Sequence, residues 1–181
     1  MTKRSVHITG SRQAATGSGH RLPLYTAEER ARRDATPWTL VQGILAPVQF
    51  LVFAVSLALI VRYLWTGQGL FAADISIVVK TLVLYTIMVT GAIWEKVVFG
   101  RYLFAPAFFW EDVFSMAVLA LHTAYLVASL GNLLAPVPLM VLALAAYGAY
   151  IVNAAQFVWK LRLARLSAPA EPGPMAAGAA S

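Results

Sequence analysis

The chain has 181 residues, 60% of them hydrophobic and only 12% charged, with a formal net charge of +6 and a mean hydropathy of +0.70. A soluble domain carries about 25% charged residues and a disordered chain combines low hydrophobicity with high net charge, so both classes are excluded, and the length suits one small membrane bundle. The absence of cysteine excludes a disulfide framework, a cysteine nucleophile, an iron–sulfur site and a thiolate zinc site, and with two of the three histidines (His7 and His20) in a polar stretch no multi-histidine metal centre is expected.

Residues 1–24 are polar and rich in small residues, and read as a disordered tail. Thr26 and Glu29 have capping-box spacing and open a short charged helix within residues 25–37, expected at the membrane surface. Pro37 starts the first span. From Thr39 to Val61 there are 23 residues without a charge, bracketed by Trp38 and Trp65. A run of about 20 apolar residues crosses a hydrocarbon core, and aromatic brackets fit its two interfaces, so a span is expected over 38–65. It lies too far into the chain and is too long for a signal peptide.

Thr66-Gly67-Gln68-Gly69 is a turn-rich break. A second span is expected over 75–99, with Asp74 placed to cap its start. Lys80 falls inside it, where snorkelling to the interface is the default expectation. Gly100 to Pro106 form a short connection. Val113 to Trp159 is a run of 47 uncharged residues, too long for one span and right for two. Gly131-Asn132 with Pro136 and Pro138 break it, so spans are expected over 107–130 and 136–160. Residues 166–181 are Ala/Pro/Gly-rich and read as a second disordered tail. No internal repeat is visible.

The basic residues sort by side. Seven precede the first span, Lys96 and Arg101 lie at the second connection, and Lys160, Arg162 and Arg165 begin the tail, whereas the other two loops carry none of their own. This is the positive-inside alternation. The expected fold is therefore an all-α integral membrane protein, a four-transmembrane-helix bundle with both termini cytoplasmic. Lipid is then the partner of its surface, and the positive charge needs no nucleic acid.

Polar groups at membrane depth are costly and often functional, with interhelical hydrogen bonding as the plain alternative. Gln42, Gln49 and Ser56 follow Trp38 on one helical face. Tyr150, Asn153 and Gln156 form a second stripe leading to Lys160. Both stripes can serve as glue between helices or line a polar cavity. Glu95 closes the second span and Glu111-Asp112 open the third, so three carboxylates stand at similar depth beside Lys96 and Arg101. They can be interface ion pairs or acid–base groups, because a desolvated carboxyl holds a proton more readily. His122 lies eleven residues beyond Glu111 on nearly the same face, with Ser115 and Tyr125. It can be a packed residue, a proton carrier or an axial contact to the metal of a tetrapyrrole. Trp94 and Trp110 belong to an aromatic concentration around the carboxylates. It can be an interfacial belt or a seat for a flat apolar ligand.

Three stretches carry a resemblance. Tyr25–Gly43 (YTAEERARRDATPWTLVQG), Trp94–Phe114 (WEKVVFGRYLFAPAFFWEDVF) and Asn153–Phe157 (NAAQF) resemble the opening segment, the central signature and the last span of the vinyl (bacterio)chlorophyllide hydratase family of bacteriochlorophyll synthesis. The likeness covers about residues 22–166 and leaves both tails outside. It implies a hydro-lyase that adds water to the 3-vinyl group of chlorophyllide a or 3-vinyl bacteriochlorophyllide a, giving a 3-(1-hydroxyethyl) product. It implies a multi-pass protein of the bacterial inner (intracytoplasmic) membrane. Its partners would be a chlorophyllide-type tetrapyrrole and neighbouring enzymes of the same pathway. No cofactor is expected, because the substrate carries its own magnesium, and no metal site is expected in the protein.

For that chemistry the candidate catalytic residues are Glu95 or Glu111 as acid, Asp112 as its partner, and His122 near the magnesium. Lys96 or Arg101 would hold the substrate's propionate. Gln42, Asn153 or Gln156 would orient water, and Gln49, Trp94 and Trp110 would line the substrate's slot. The competing expectation is a non-catalytic pigment-binding or scaffold subunit of a photosynthetic membrane complex, which would use the same aromatics and His122.

Overall fold

The computed structural model of the protein describes residues 24–166, and all regular structure among them is helical. Helix α1 (Ala27–Ala35) precedes four long helices, α2 (Pro37–Thr66), α3 (Leu70–Phe99), α4 (Phe109–Leu130) and α5 (Pro136–Leu166). Each of the four is long and apolar enough to cross a membrane. Their exteriors carry the large apolar side chains, among them Leu51, Phe71, Leu82, Val127 and Val158. Their interior holds Gln49, Ser56, Lys80, Thr81, Glu95, Glu111, Asp112, Ser115 and His122. Apolar outside with polar groups inside is the arrangement that lipid imposes.

The start of α1 follows from chemistry that is local in sequence. The Thr26 hydroxyl accepts from the Glu29 backbone N–H at 3.2 Å, and the Glu29 carboxylate accepts from the Thr26 N–H at 2.8 Å. Thr36 separates α1 from α2 in extended backbone, and Pro37 stands at the first turn of α2, where its missing N–H costs nothing. The link between α2 and α3 is very short. Gly67 and Gly69 both take left-handed backbone, with φ of 70° and 87°, which residues with a side chain adopt only with strain.

The spans pair as two antiparallel hairpins, α2 with α3 and α4 with α5. Each hairpin is closely packed within itself, and the two meet more sparingly, α2 against α5 and α3 against α4. Helix α1 lies on the end of α3, where the Arg32 Nε–H donates to the Val98 carbonyl at 2.9 Å. A core of Phe53, Ile60, Ile77, Leu84, Val118, Tyr125, Met140 and Tyr147 runs between the hairpins. A polar chain crosses it: the Ser56 hydroxyl is 2.6 Å from the Tyr147 hydroxyl and 2.7 Å from that of Ser76.

Two expectations are corrected. Helix α3 starts at Leu70, five residues before the expected start at residue 75, so Asp74 lies inside the helix and does not cap it. The cap is Gly69, which makes no side-chain hydrogen bond. Asp74 instead accepts from the Tyr125 hydroxyl of α4 at 2.6 Å. A charged residue that finds a partner on a neighbouring helix need not mark a helix end. The earlier start also moves Lys80 ten residues into α3, about 15 Å from its beginning. Its side chain is wholly buried, so it does not snorkel. The other span limits fall within about two residues of those expected, except that α5 continues to Leu166. Apart from their innermost residues, the two tails, 1–24 and 166–181, lie outside the described residues.

The Asp74–Tyr125 bond links the hairpins and gives a stability prediction. Tyr125→Phe is expected to cost about 1 kcal/mol, the scale measured for hydrogen bonds between membrane helices. Unfolding of the purified chain in mixed micelles checks it, and an unchanged midpoint would show that the bond contributes nothing net.

Candidate active site

The end of the bundle where α3 leaves and α4 begins gathers the carboxylates. Glu95 stands one turn before the end of α3, and Asp112 stands in the first turn of α4. The short connection between those helices brings the two side chains together. Their carboxyl groups lie close enough to act on each other, and both residues are buried, at 6% and 3% exposure. Two ionised carboxylates so placed would repel each other in a poorly solvated site, and such a pair is able to share one proton.

The connection itself serves the pair. The Phe104 N–H donates to Asp112 Oδ2 at 2.7 Å, and the Ala105 N–H donates to Glu95 Oε2 at 3.3 Å. Phe104 achieves this with φ of 58°, a left-handed conformation that costs a non-glycine residue on the order of 1–2 kcal/mol. Two backbone N–H groups aimed at two buried carboxyls offset that cost. Sequence reasoning missed this role for Phe104 and Ala105, because a main-chain donor leaves no signature in residue type.

Glu111 turns the other way. It is also buried, and its carboxylate pairs with Lys160 of α5 at 2.5 Å. The Lys160 ammonium also lies 5.0 Å from the centre of the Phe108 ring. Lys160 was visible as the end of the α5 polar stripe, but its partner was not. The same stripe continues inward. The Asn153 amide N–H donates to the Ser115 hydroxyl at 2.9 Å, one turn beyond Asp112 on α4. Among the described residues, the amide oxygens of Asn153 and Gln156 are buried without a hydrogen-bond partner. Gln156 also borders a shallow, open apolar hollow with Ile151, Val152, Ala155 and Trp159.

The remaining predicted residues scatter. Gln42 donates to the Thr90 hydroxyl at 2.7 Å and stitches α2 to α3. Gln49 is buried deeper on α2, with no hydrogen-bond partner for its amide oxygen among the described residues. Trp94 donates its indole N–H to the Thr39 hydroxyl at 2.9 Å and packs edge-on against Phe99 and Phe108. Tyr25 closes this cluster by stacking on Phe99 at 5.8 Å, and Phe157 stacks on Phe108 at 5.9 Å. Around Trp94, then, the aromatics pack on one another. Burial pushes the Tyr25 phenol above its ordinary range, and the neighbouring Arg33 guanidinium works against that. Trp110 is exposed on the outside of α4. Lys96 is exposed too; its ammonium donates to the Gly100 carbonyl at 2.9 Å and lies 5.3 Å from the Tyr102 ring centre. Arg101 is exposed in the connection.

A second polar layer lies deeper, between the hairpins. His122 is wholly buried; its Nδ1 is 2.8 Å from the Val118 carbonyl, and its ring stacks on Tyr147 at 5.7 Å. Among the described residues no three of His, Cys, Asp and Glu gather as a metal-binding group.

The site can therefore do proton chemistry at a buried carboxyl pair, with Asn153, bonded to Ser115 one turn along α4, offering an amide oxygen able to hold a water. Comparison with known proteins gives this chemistry a context. A family described as 2-vinyl bacteriochlorophyllide hydratase matches residues 25–163. The chain is 70% identical over 151 residues to a 2-vinyl bacteriochlorophyllide hydratase of Rhodobacter capsulatus, covering 83% of this chain and 88% of that one. It is 70% identical over 144 residues to the protein of the same name from Cereibacter sphaeroides, covering 79% and 89%. No solved structure matches the chain.

Proposed function

Because the chain belongs to the 2-vinyl bacteriochlorophyllide hydratase family, we propose that it is a membrane hydro-lyase that adds water to the vinyl group of a chlorin in bacteriochlorophyll synthesis. The vinyl substituent is numbered 2 or 3 under the two numbering conventions for the macrocycle. The substrate is a chlorophyllide-type tetrapyrrole, and the product carries a 1-hydroxyethyl group in its place. The alternation of basic residues supports a bacterial inner membrane location with both termini cytoplasmic, which sets the carboxyl pair near the cytoplasmic face.

The observation that carries the mechanism is the buried Glu95–Asp112 pair, held by the N–H groups of Ala105 and Phe104. Its shared proton goes to the terminal vinyl carbon. The positive charge that develops on the adjacent carbon is spread over the macrocycle, which lowers the barrier. Water then bonds to that carbon. Its surplus proton returns to the carboxylate left by the first step, so the pair is restored and no redox cofactor takes part. The amide oxygens of Asn153 and Gln156 would accept from that water and hold it beside the reacting carbon. Glu111, neutralised by Lys160, would be a poor proton donor and is assigned to structure. Lys96 and Arg101, exposed at the same end, would meet the free propionate at the membrane surface.

The test is direct. The chain is expressed in membranes, chlorophyllide a is supplied, and pigment is examined by mass spectrometry for a product one water heavier. Product that depends on the chain is expected. Pigment retained but unchanged, in an assay where a known hydratase succeeds, would instead assign a pigment-holding role.

The water-holding role gives a further prediction. Asn153→Leu is expected to lower the hydration rate by about 10-fold or more while pigment binding changes little, because an orienting group acts on the reacting geometry. Parallel measurement of rate and binding checks it. Equal loss in both would show that Asn153 only supports the fold.

A further inference from the structure

Phe104 stands in the connection between α3 and α4 with φ of 58°. This is the left-handed region, where glycine is at ease and a phenylalanine is strained. Its N–H donates to Asp112 Oδ2 at 2.7 Å. A glycine at this position would make the same bond without strain, so the bond explains the backbone and not the ring. Burial does not explain the ring either, because Phe104 is 37% exposed. A strained residue whose side chain gains the fold little points to a function for that side chain.

The ring has neighbours of its own kind. Its centre lies 5.8 Å from that of Phe109, and the Phe109 ring lies 5.5 Å from that of Trp110. Both neighbours are exposed at the start of α4. This set differs from the cluster around Trp94, whose rings pack on one another. An interfacial belt is built of tryptophan and tyrosine, whose rings carry a polar atom toward the headgroups. Trp110 suits a belt, and Phe104 and Phe109 do not. Contact with lipid would account for exposed rings on α4, but not for a phenylalanine at a left-handed position in a connection.

The surroundings suit a flat, apolar ligand with one anionic group. Residues 100–110 contain no acid, and Arg101 and Lys96 are exposed at the same connection. Because the Phe104 backbone touches Asp112, its ring stands within one side chain's length of the carboxyl pair. A vinyl group on a pyrrole ring lying over Phe104 spans that distance. Only those two carbons need reach the pair, so the disc stays outside the bundle and requires no cavity within it. We infer that the Phe104 ring, with Phe109 and Trp110 beside it, is the seat on which one face of the chlorin lies, its vinyl edge turned toward Glu95 and Asp112 and its propionate toward Arg101 and Lys96. This rests on the hydratase reading and deepens it. Phe104 holds the acid through its N–H and the substrate through its ring, and so sets the one against the other.

The full chain in lipid nanodiscs is titrated by absorption with chlorophyllide a, with empty nanodiscs as the blank. Phe104→Gly keeps the N–H and the backbone conformation and removes the ring. It is expected to weaken binding by about 10-fold or more, the scale of one large apolar contact, and to raise the half-saturating chlorophyllide concentration for hydration by the same factor. The saturated rate and the unfolding midpoint are expected to hold, since the bond to Asp112 remains. Phe104→Tyr keeps a ring and is expected to bind nearly as the wild type does. Trp65→Leu, in the last turn of α2 at the other end of the bundle and 86% exposed, is expected to change nothing. Unchanged binding in Phe104→Gly would overturn the seat, and a saturated rate that falls with binding unchanged would give Phe104 a purely structural role. An equal loss from Trp65→Leu, or no saturable binding by the wild type, would overturn it too. Should Phe104→Gly fail to accumulate, Phe104→Asn, which also tolerates this backbone, is expected to show the same loss, and binding retained there would overturn the seat. Wild-type protein that forms product while Phe104→Gly binds as tightly sinks the seat alone. Ring-dependent binding with no product from the wild type sinks the hydratase reading alone.

Discussion

Glu95→Gln is expected to lower vinyl hydration by about 10²–10⁴-fold, the range contributed by a positioned general acid, with chlorin binding nearly unchanged. Gln matches Glu in shape, and its amide oxygen can still accept from the Ala105 N–H that now meets Glu95. The fold is therefore expected to survive, and what disappears is the transferable proton shared with Asp112. Asp112→Asn is expected to behave alike, because the pair acts as a unit. The double variant should then be no worse than the poorer single one, since effects within one catalytic unit do not add. Initial rates of product formation by mass spectrometry, normalised to the chain present in the membrane, give the comparison. Full activity in Glu95→Gln would remove the carboxyl pair from the mechanism. Glu111→Gln serves as the contrast and is expected to keep most of the rate.

Lys160→Met is expected to destabilise the bundle by about 2 kcal/mol, more than any other single change at the carboxylate end. It leaves the buried Glu111 carboxylate without the ammonium that now pairs with it. Removing one partner of a buried ion pair costs about 3–5 kcal/mol, and the lower figure reflects the partial exposure of Lys160, 26% at its side chain. The pair Glu111→Gln with Lys160→Met is expected to recover most of the loss, because no charge is then stranded. Unfolding midpoints of the two single variants and the double variant form the cycle. Additive losses would show that the two side chains do not depend on one another.

These two predictions treat adjacent carboxylates oppositely, and that contrast separates what was legible from what was not. The presence of Glu95, Glu111 and Asp112 at one depth follows from counting along two helices and a short connection. Their pairing does not. Glu111 and Asp112 are neighbours in sequence, yet about 100° apart around the helix axis, so one faces α5 and the other faces α3. Which faces which depends on how the hairpins dock. Lys80 shows the same limit. With a start expected at residue 75 it lay near the interface, and with the observed start at Leu70 it lies in the middle of the span. The aromatic concentration was equally ambiguous. The structure packs Tyr25, Trp94, Phe99, Phe108 and Phe157 against one another and leaves Trp110 outside.

The sequence by itself determined four membrane-length helices and their breaks, because apolar length measured against bilayer thickness is a one-dimensional property. It also determined the cap of α1, a contact across three residues, and the family, carried by long unbroken strings. Only the tertiary structure decided that Glu95 meets Asp112, that Phe104 and Ala105 turn their N–H groups on the pair, and that Lys160 takes Glu111. Each of those contacts joins residues on different helices or on a connection between them. Their partners are set by helix rotation and hairpin docking, which distribute small packing energies over many side chains and leave no mark at any one position in the chain.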